Sequence, residues 1–251
     1  MSSRLEALVI DANEPARLAA FWSEILGREI AGTDDDGVIT LASPGSPGFA
    51  IDIEPTRHPK EMRNRMHLDL TSASDEAQRA TVARALELGA THLDVGQLPT
   101  ETHVVLADPE GNEFCVLPAG NRFTAGCGTI GALACDGTRA VGEFWQAALD
   151  WILVWDEGDE TAIQSPHGGT KISWGGPPVM DKPPKNRWHL DLRPNADQQA
   201  EVERLEALGA TRTDIGQGRV SWVVMRDRTA TSSVCCPPPP SGRRSRTASW
   251  R

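Results

Sequence analysis

Two histidines, His67 and His189, each stand fourth in the heptapeptide Asn-Arg-x-His-Leu-Asp-Leu, at residues 64–70 and 186–192. A carboxylate, Asp69 or Asp191, follows each by two positions. Imidazole titrates near neutrality and can serve as metal ligand, base or hydrogen-bond partner. In a strand, alternation puts His67 and Asp69 on one face and Met66, Leu68 and Leu70 on the other, and His189 and Asp191 likewise oppose Leu190 and Leu192. Such a strand is packed behind and polar in front, as the wall of a wet cavity would be. Residues 49–54 set Ala50, Asp52 and Glu54 against Phe49, Ile51 and Ile53; residues 113–117 set Glu113, Cys115 and Leu117 against Phe114 and Val116. The polar faces are expected to bring Asp52, Glu54, His67, Asp69 and Glu113 to one concavity, with His67 and Glu113 as the candidates for acid–base work. Cys115, His189, Asp191 and, from a tryptophan-rich second half, Trp174 complete the candidate lining of a small-molecule site. The competing reading is ordinary amphipathic strands with their polar faces in solvent.

These strands belong to a repeat. Phe21-Trp22 answers to Phe144-Trp145, residues 88–91 to 208–211, and residues 94–97 to 214–217, at a spacing close to 120 residues. That length is a domain repeat, too long for a solenoid unit. Within the first copy, residues 5–10 read as a strand. Asn13 is placed to cap a helix begun by Pro15 and closed by Gly27, with Leu18, Phe21, Trp22, Ile25 and Leu26 at helical spacing. Strands are expected near 28–31, 38–41 and 49–53. The order then restarts with a strand at 65–70, a helix from about 75 to 88 capped by Ser74 and closed by Gly89, and strands near 91–95, 103–107 and 113–117. Each copy is thus two βαβββ modules, four in all, which makes the fold class α+β. The expected boundaries are a first domain at 1–120, a linker at 121–128 and a second domain at 129–227.

Composition narrows the function. A formal charge of -10 disfavours a nucleic-acid partner. No apolar run approaches the roughly 20 residues a membrane helix needs. The start Met-Ser-Ser-Arg-Leu-Glu has no signal-peptide core. Five irregularly spaced cysteines form neither a disulfide framework nor a paired zinc motif. A cytoplasmic protein, monomeric or homodimeric, is the expectation.

The repeat breaks after Asp227. The first copy continues as Asp108-Pro-Glu-Gly-Asn-Glu-Phe-Cys-Val-Leu117, the second as Asp227-Arg-Thr-Ala-Thr-Ser-Ser-Val-Cys-Cys236 and then four prolines. The codons GAC CCG GAC GGC AAC GAG TTC TGT GTG CTG encode Asp-Pro-Asp-Gly-Asn-Glu-Phe-Cys-Val-Leu. Removing one C near the start and adding one at the end gives GAC CGG ACG GCA ACG AGT TCT GTG TGC TGC, which is the observed stretch. Residues 228–251 therefore read as out of frame, with the last strand of the second copy missing or altered. Charge agrees: residues 228–251 hold five arginines and no acid, so residues 1–227 keep 20 basic groups of the 25 against all 35 acidic ones, a balance of -15. The alternative is a Pro/Arg-rich disordered tail evolved as such.

The βαβββ modules, Phe21-Trp22, the Asn-Arg-x-His-Leu-Asp-Leu strand and Asp108-Pro-Glu-Gly-Asn-Glu-Phe114 together resemble the vicinal oxygen chelate superfamily. It includes glyoxalase I, bleomycin-resistance proteins, fosfomycin-resistance enzymes and extradiol dioxygenases, and the likeness is greatest to its glyoxalase-like branch. The resemblance spans residues 1 to about 227. It implies that two modules pair and curl into a cup holding the ligand. Metal-dependent members carry a His on the first strand, a Glu on the fourth, a His on the fifth and a Glu on the eighth. Those positions fall here at Ala7, Asp52, His67 and Cys115, and in the second copy at Ile130, Ser173, His189 and the altered end. Alanine cannot bind metal, so the resemblance favours a small-molecule binder without a complete metal site and no cofactor. The alternative is a metal-dependent lyase, isomerase or dioxygenase with a divalent ion on Asp52, His67 and Cys115 in the first domain.

Overall fold

A computed structural model describes residues 2–45, 47–181 and 185–227 and the backbone of 232–235. The first copy runs β1 (Ser3–Ala12), α1 (Pro15–Leu26), β2 (Ile30–Thr33), β3 (Ile39–Leu41), β4 (Ala50–Pro55), β5 (Met66–Leu70), α2 (Asp75–Glu87), β6 (Thr91–His92), β7 (Val104–Ala107) and β8 (Glu113–Val116). The second runs β9 (Ile130–Cys135), α3 (Arg139–Leu149), β10 (Ile152–Glu157), β11 (Glu160–Ser165), β12 (Gly168–Trp174), β13 (Trp188–Pro194), α4 (Gln198–Ala207), β14 (Thr211–Arg212), β15 (Val223–Arg226) and β16 (Ser232–Cys235). This is the expected α+β arrangement of four βαβββ modules. Among the described residues no helix is long and apolar enough to cross a membrane.

Local chemistry explains the helix ends. Ser74 accepts from the Ala77 amide at 3.1 Å, and Asp75 and Glu76 occupy the first turn, where they complement the helix dipole. Gly27 ends α1 in the left-handed region at φ 61°; Asp150 takes the same role after α3 at φ 57°. Asn13 does not cap α1. Its side-chain amide instead donates to the carbonyls of Thr56 and His58, at 2.9 and 3.2 Å, and so ties β1 to the exit of β4.

Each eight-stranded sheet takes half its strands from each copy. The first has the order β14-β15-β16-β13-β1-β4-β3-β2 and the second β10-β11-β12-β9-β5-β8-β7-β6. The seams are antiparallel: β1 with β13, and β5 with β9. The arginine of each heptapeptide staples the copies together. Buried Arg187 donates to the Asp11 and His58 carbonyls and to Glu110 at 2.9 Å, while Arg65 donates from Nε to Asp136 at 2.8 Å. Both arginines form buried cross-copy ion pairs.

The helix-facing sides of both sheets form one apolar core. It holds Leu8, Ile10, Ile51 and Ile53 from the first sheet, Leu68, Phe114 and Leu133 from the second, and Phe21, Trp22, Phe144 and Trp145 from the helices. Trp22 meets Phe114 edge to face at 5.1 Å.

The second copy does have a final strand. β16 pairs parallel with β13 and antiparallel with β15, as β8 does with β5 and β7. Ladder bonds use the backbone, so an altered side-chain sequence of Ser, Val and Cys still pairs. Residues 228–231 and 236–251, where the out-of-frame reading also falls, lie outside the described residues.

Candidate functional site

The sheet faces turned away from the helices carry the polar residues singled out above, but they carry them in two groups. In the first sheet, Val9 lies opposite both Asp52 and His189, and Ala7 lies opposite both Ala50 and Asp191. In the second, Asp69 lies opposite Cys115 and Ala132, and His67 opposite Ala134. Asp52 and Glu54 therefore share a sheet with His189 and Asp191, and not with His67. The anticipated set Asp52, His67 and Cys115 is divided because β4 and β5 part into different sheets.

The first-sheet group is buried. Asp52, His189 and Asp191 are 2–5% exposed, and Asp11 and Glu54 are buried nearby. Thr40 Oγ1 donates to Asp52 at 2.7 Å, Lys185 pairs with Asp11, and His189 Nε2 lies 3.5 Å from Asp191 Oδ1. Burial opposes charge on His189, but Asp191, with Glu54 and Asp11 behind it, raises its pKa above the ordinary value. Alongside lies an open cavity of about 760 Å³, lined by Arg4, Glu6, Thr40, Ala42, Ala50 and neighbouring loop residues. A bulge at Glu6 shapes its rim, where Glu6 is held between Arg4 at 2.7 Å and Arg193 at 3.0 Å. The cavity residues Arg4, Glu6 and Thr40 carry no motif; only the placement of Thr40 opposite Asp52, a register property, brings them into view.

The second-sheet group is a compact cluster. His67, Asp69 and Cys115 each offer a ligand atom, and these atoms lie within 4.8 Å of one another. His67 Nε2 is 3.3 Å from Asp69 Oδ1, and its side chain is 36% exposed while Cys115 is buried. Burial works against the imidazolium, yet hydrogen bonds with Asp69 and Cys115 outweigh it and push the His67 pKa up to about 10. Burial pushes the Cys115 thiol up, and His67 partly offsets that. An imidazole, a carboxylate and a thiolate are a donor set suited to zinc-like ions, so the residues present fit a divalent cation. Glu113 stands apart from the cluster: Lys60 Nζ donates to one of its oxygens at 2.7 Å and the Asn64 amide to the other at 3.2 Å. That pairing occupies a carboxylate proposed above as an acid–base group.

Two further residues sit elsewhere than expected. Trp174 belongs to the core, where it packs beneath Gly142 of α3, because alternation on β12 gives Ser173 to the polar face and Trp174 to the helix side. Ile130 is likewise core. Ala132, not Ile130, holds the register of Ala7, because Phe144 follows Ala132 by 12 positions whereas Phe21 follows Ala7 by 14.

A family model described as "Glyoxalase-like domain" matches residues 7–117 and again 131–232. Among solved structures, glyoxalase I from Zea mays superposes with a TM-score of 0.67 at 12% identity, over 93% of this chain and 92% of that one. A putative dioxygenase from Bacillus subtilis superposes with a TM-score of 0.61 at 14% identity, over 95% of this chain and 86% of that one. At such identities the likeness speaks for the fold alone. No curated protein matches the sequence.

Proposed function

Since this chain belongs to the glyoxalase-like domain family, matched once in each copy, we propose that it binds a small organic molecule in the cup of its first sheet. The observation that carries this reading is the open cavity of about 760 Å³ over β1, β2, β3 and β4. Ligand sites of roughly 300–1,000 Å³ with a few convergent polar groups are the common kind. Arg4, Glu6 and Thr40 supply those groups, Ala42 and Ala50 leave the space, and the buried Asp52 orients Thr40 from behind. Thermal-shift screening of a panel of small amines, carboxylic acids and planar heterocycles tests it. Panel members should raise the Tm of the parent protein and not of Ala50→Trp, whose indole fills the cavity. Equal shifts in both proteins, or none in the parent, would refute the assignment.

A second reading has its own observation, the His67, Asp69 and Cys115 ligand atoms within 4.8 Å of one another. These three residues would hold a divalent cation, leaving a coordination position open. The ion would supply Lewis-acid polarisation of a bound oxygen. His67 and Asp69 hold each other in place, and the apolar neighbours Val105 and Leu117 around Cys115 limit water. Elemental analysis of the purified protein tests this reading: bound zinc, nickel, manganese or iron should be lost on His67→Ala.

A further inference from the structure

Two arginines face each other across the seam of the first sheet. Arg4 of β1 and Arg193 of β13 are direct partners in the antiparallel ladder. Like charges directly opposite repel and destabilise such a pair. Glu6 relieves the repulsion. The bulge between Leu5 and Ala7 sets it outside the ladder, and its two carboxylate oxygens take one guanidinium each. Two cations then share one carboxylate, a local surplus of one positive charge in a chain whose formal charge is -10.

The fold does not ask for these charges. In the second sheet the same ladder positions hold Thr129 and Thr71, joined by a backbone bond of 3.0 Å, with Gly131 at the bulge. Thr124 and Thr71 close over Gly131, so that a Cβ added there would meet their methyl carbons at 2.6 and 2.8 Å. That rim is neutral and filled. The rim of the first sheet is charged and open, because Arg4 and Glu6 line the cavity of about 760 Å³ beside Ala42, Ser43, Gly48 and Ala50.

Of the two guanidiniums, Arg4 is the accessible one: its side chain is 65% exposed, against 12% for Arg193. Among the described residues the Arg4 side chain makes a single hydrogen bond, from Nη2 to Glu6 at 2.7 Å. Its Nε and Nη1 donors are left for a ligand, and the planar fork of a guanidinium matches a carboxylate. The other acid on the lining, Asp34, follows Thr33, which shares its register level with Ile39, Ile53 and Ile10. It therefore stands at the opposite end of the cavity from Arg4, and one of its oxygens already accepts from the Asp36 and Val38 amides.

We propose that the first-sheet cup takes a small organic acid, with Arg4 receiving its carboxylate and the space over Ala42 and Ala50 receiving its body. The proposal rests on the reading of this cavity as the ligand site. It adds the charge class of the ligand and the residue that selects it.

Matched probes test it: benzoate against benzamide, phenylacetate against phenylacetamide, and benzylamine as a cation, each titrated while the Tm is followed. The carboxylates should raise the Tm of the parent protein. The amides and the amine should bind at least about tenfold more weakly, the scale of one charge-assisted hydrogen bond. Arg4→Gln should erase that preference, and Arg4→Lys, which keeps the charge and guards against a folding defect, should restore part of it. Ala50→Trp should abolish the response to every probe. If the amides or the amine match the acids in the parent and Ala50→Trp stops them all, the cup is the site and the carboxylate assignment is refuted. A full preference for acids in Arg4→Gln would equally refute the role of Arg4. If the acids act alike on the parent and Ala50→Trp, or no probe shifts the parent, both readings fall.

Discussion

Trp145 donates its indole N–H to Asp227 at 3.0 Å, inside the core and at the last residue before the two copies diverge. Its counterpart, Trp22 with Asp108, anchors a turn in which Asp108 also accepts from the amides of Glu110 and Asn112 and from the Asn112 side chain. Burial pushes the Asp108 carboxyl up to about 6 despite these donors. Trp22→Phe should therefore leave a buried carboxylate short of a donor and cost about 1–3 kcal/mol. Chemical denaturation measures it, and an unchanged midpoint would show the bond to be dispensable.

The out-of-frame reading predicts a gain from one substitution. Phe114 is fully buried against Phe21 and Trp22, and its register counterpart is Ser233. Ser233→Phe should add roughly 1.5–3 kcal/mol if the new ring is buried as Phe114 is. At about 2–4 °C per kcal/mol for a chain of this size, the Tm should rise by several degrees. A lower Tm would mean that β16 does not present position 233 to the core as β8 presents Phe114.

Arg187 reaches Asp11, His58 and Glu110 of the other copy from a buried position. Arg187→Met should destabilise by about 3–5 kcal/mol, since it strands Glu110 without its cation. The loss should be much smaller in the Arg187→Met/Glu110→Gln double variant, which removes both charges. Equal losses in the single and the double variant would contradict the pairing.

His67 has its pKa raised from 6.5 to about 10. A raised folded-state value favours the native state below the unfolded pKa, and that contribution fades as pH rises through the folded one. The metal-free protein should thus lose Tm between pH 7 and pH 10, and less so as Asp69→Asn. The His67 ring resonances should not titrate near 6.5 in the parent, whereas Asp69→Asn should bring the midpoint down. A parent midpoint at the ordinary histidine value would show that Asp69 does not hold the proton there.

Much of the module order was legible in the sequence, because strand alternation and the Ser74 cap are local signals. The polar faces of residues 66–70 and 113–116 were legible for the same reason, and so His67 and Cys115 were found together. Which module pairs with which was not legible. The β1–β13 seam joins residues far apart in the chain, and no local pattern specifies it. That seam is what separates Asp52 from His67. Asn13 was misread as a cap because its partners, the carbonyls of Thr56 and His58, are also distant in sequence. Ile130 was displaced by Ala132 because the spacing from strand to Phe-Trp is two residues shorter in the second copy, which no local pattern announces. Trp174 followed from tryptophan enrichment, where alternation from the core residue Ile172 would have assigned it to the core.

The central claim, a ligand in the cup of the first sheet, is tested most directly by mapping amide chemical-shift changes on adding a compound that raises the Tm. Binding there predicts changes concentrated at Glu6, Thr40, Ala42 and Ala50, around the cavity. Changes confined to His67, Asp69 and Cys115 on the second sheet would contradict it and move the site to the other cluster.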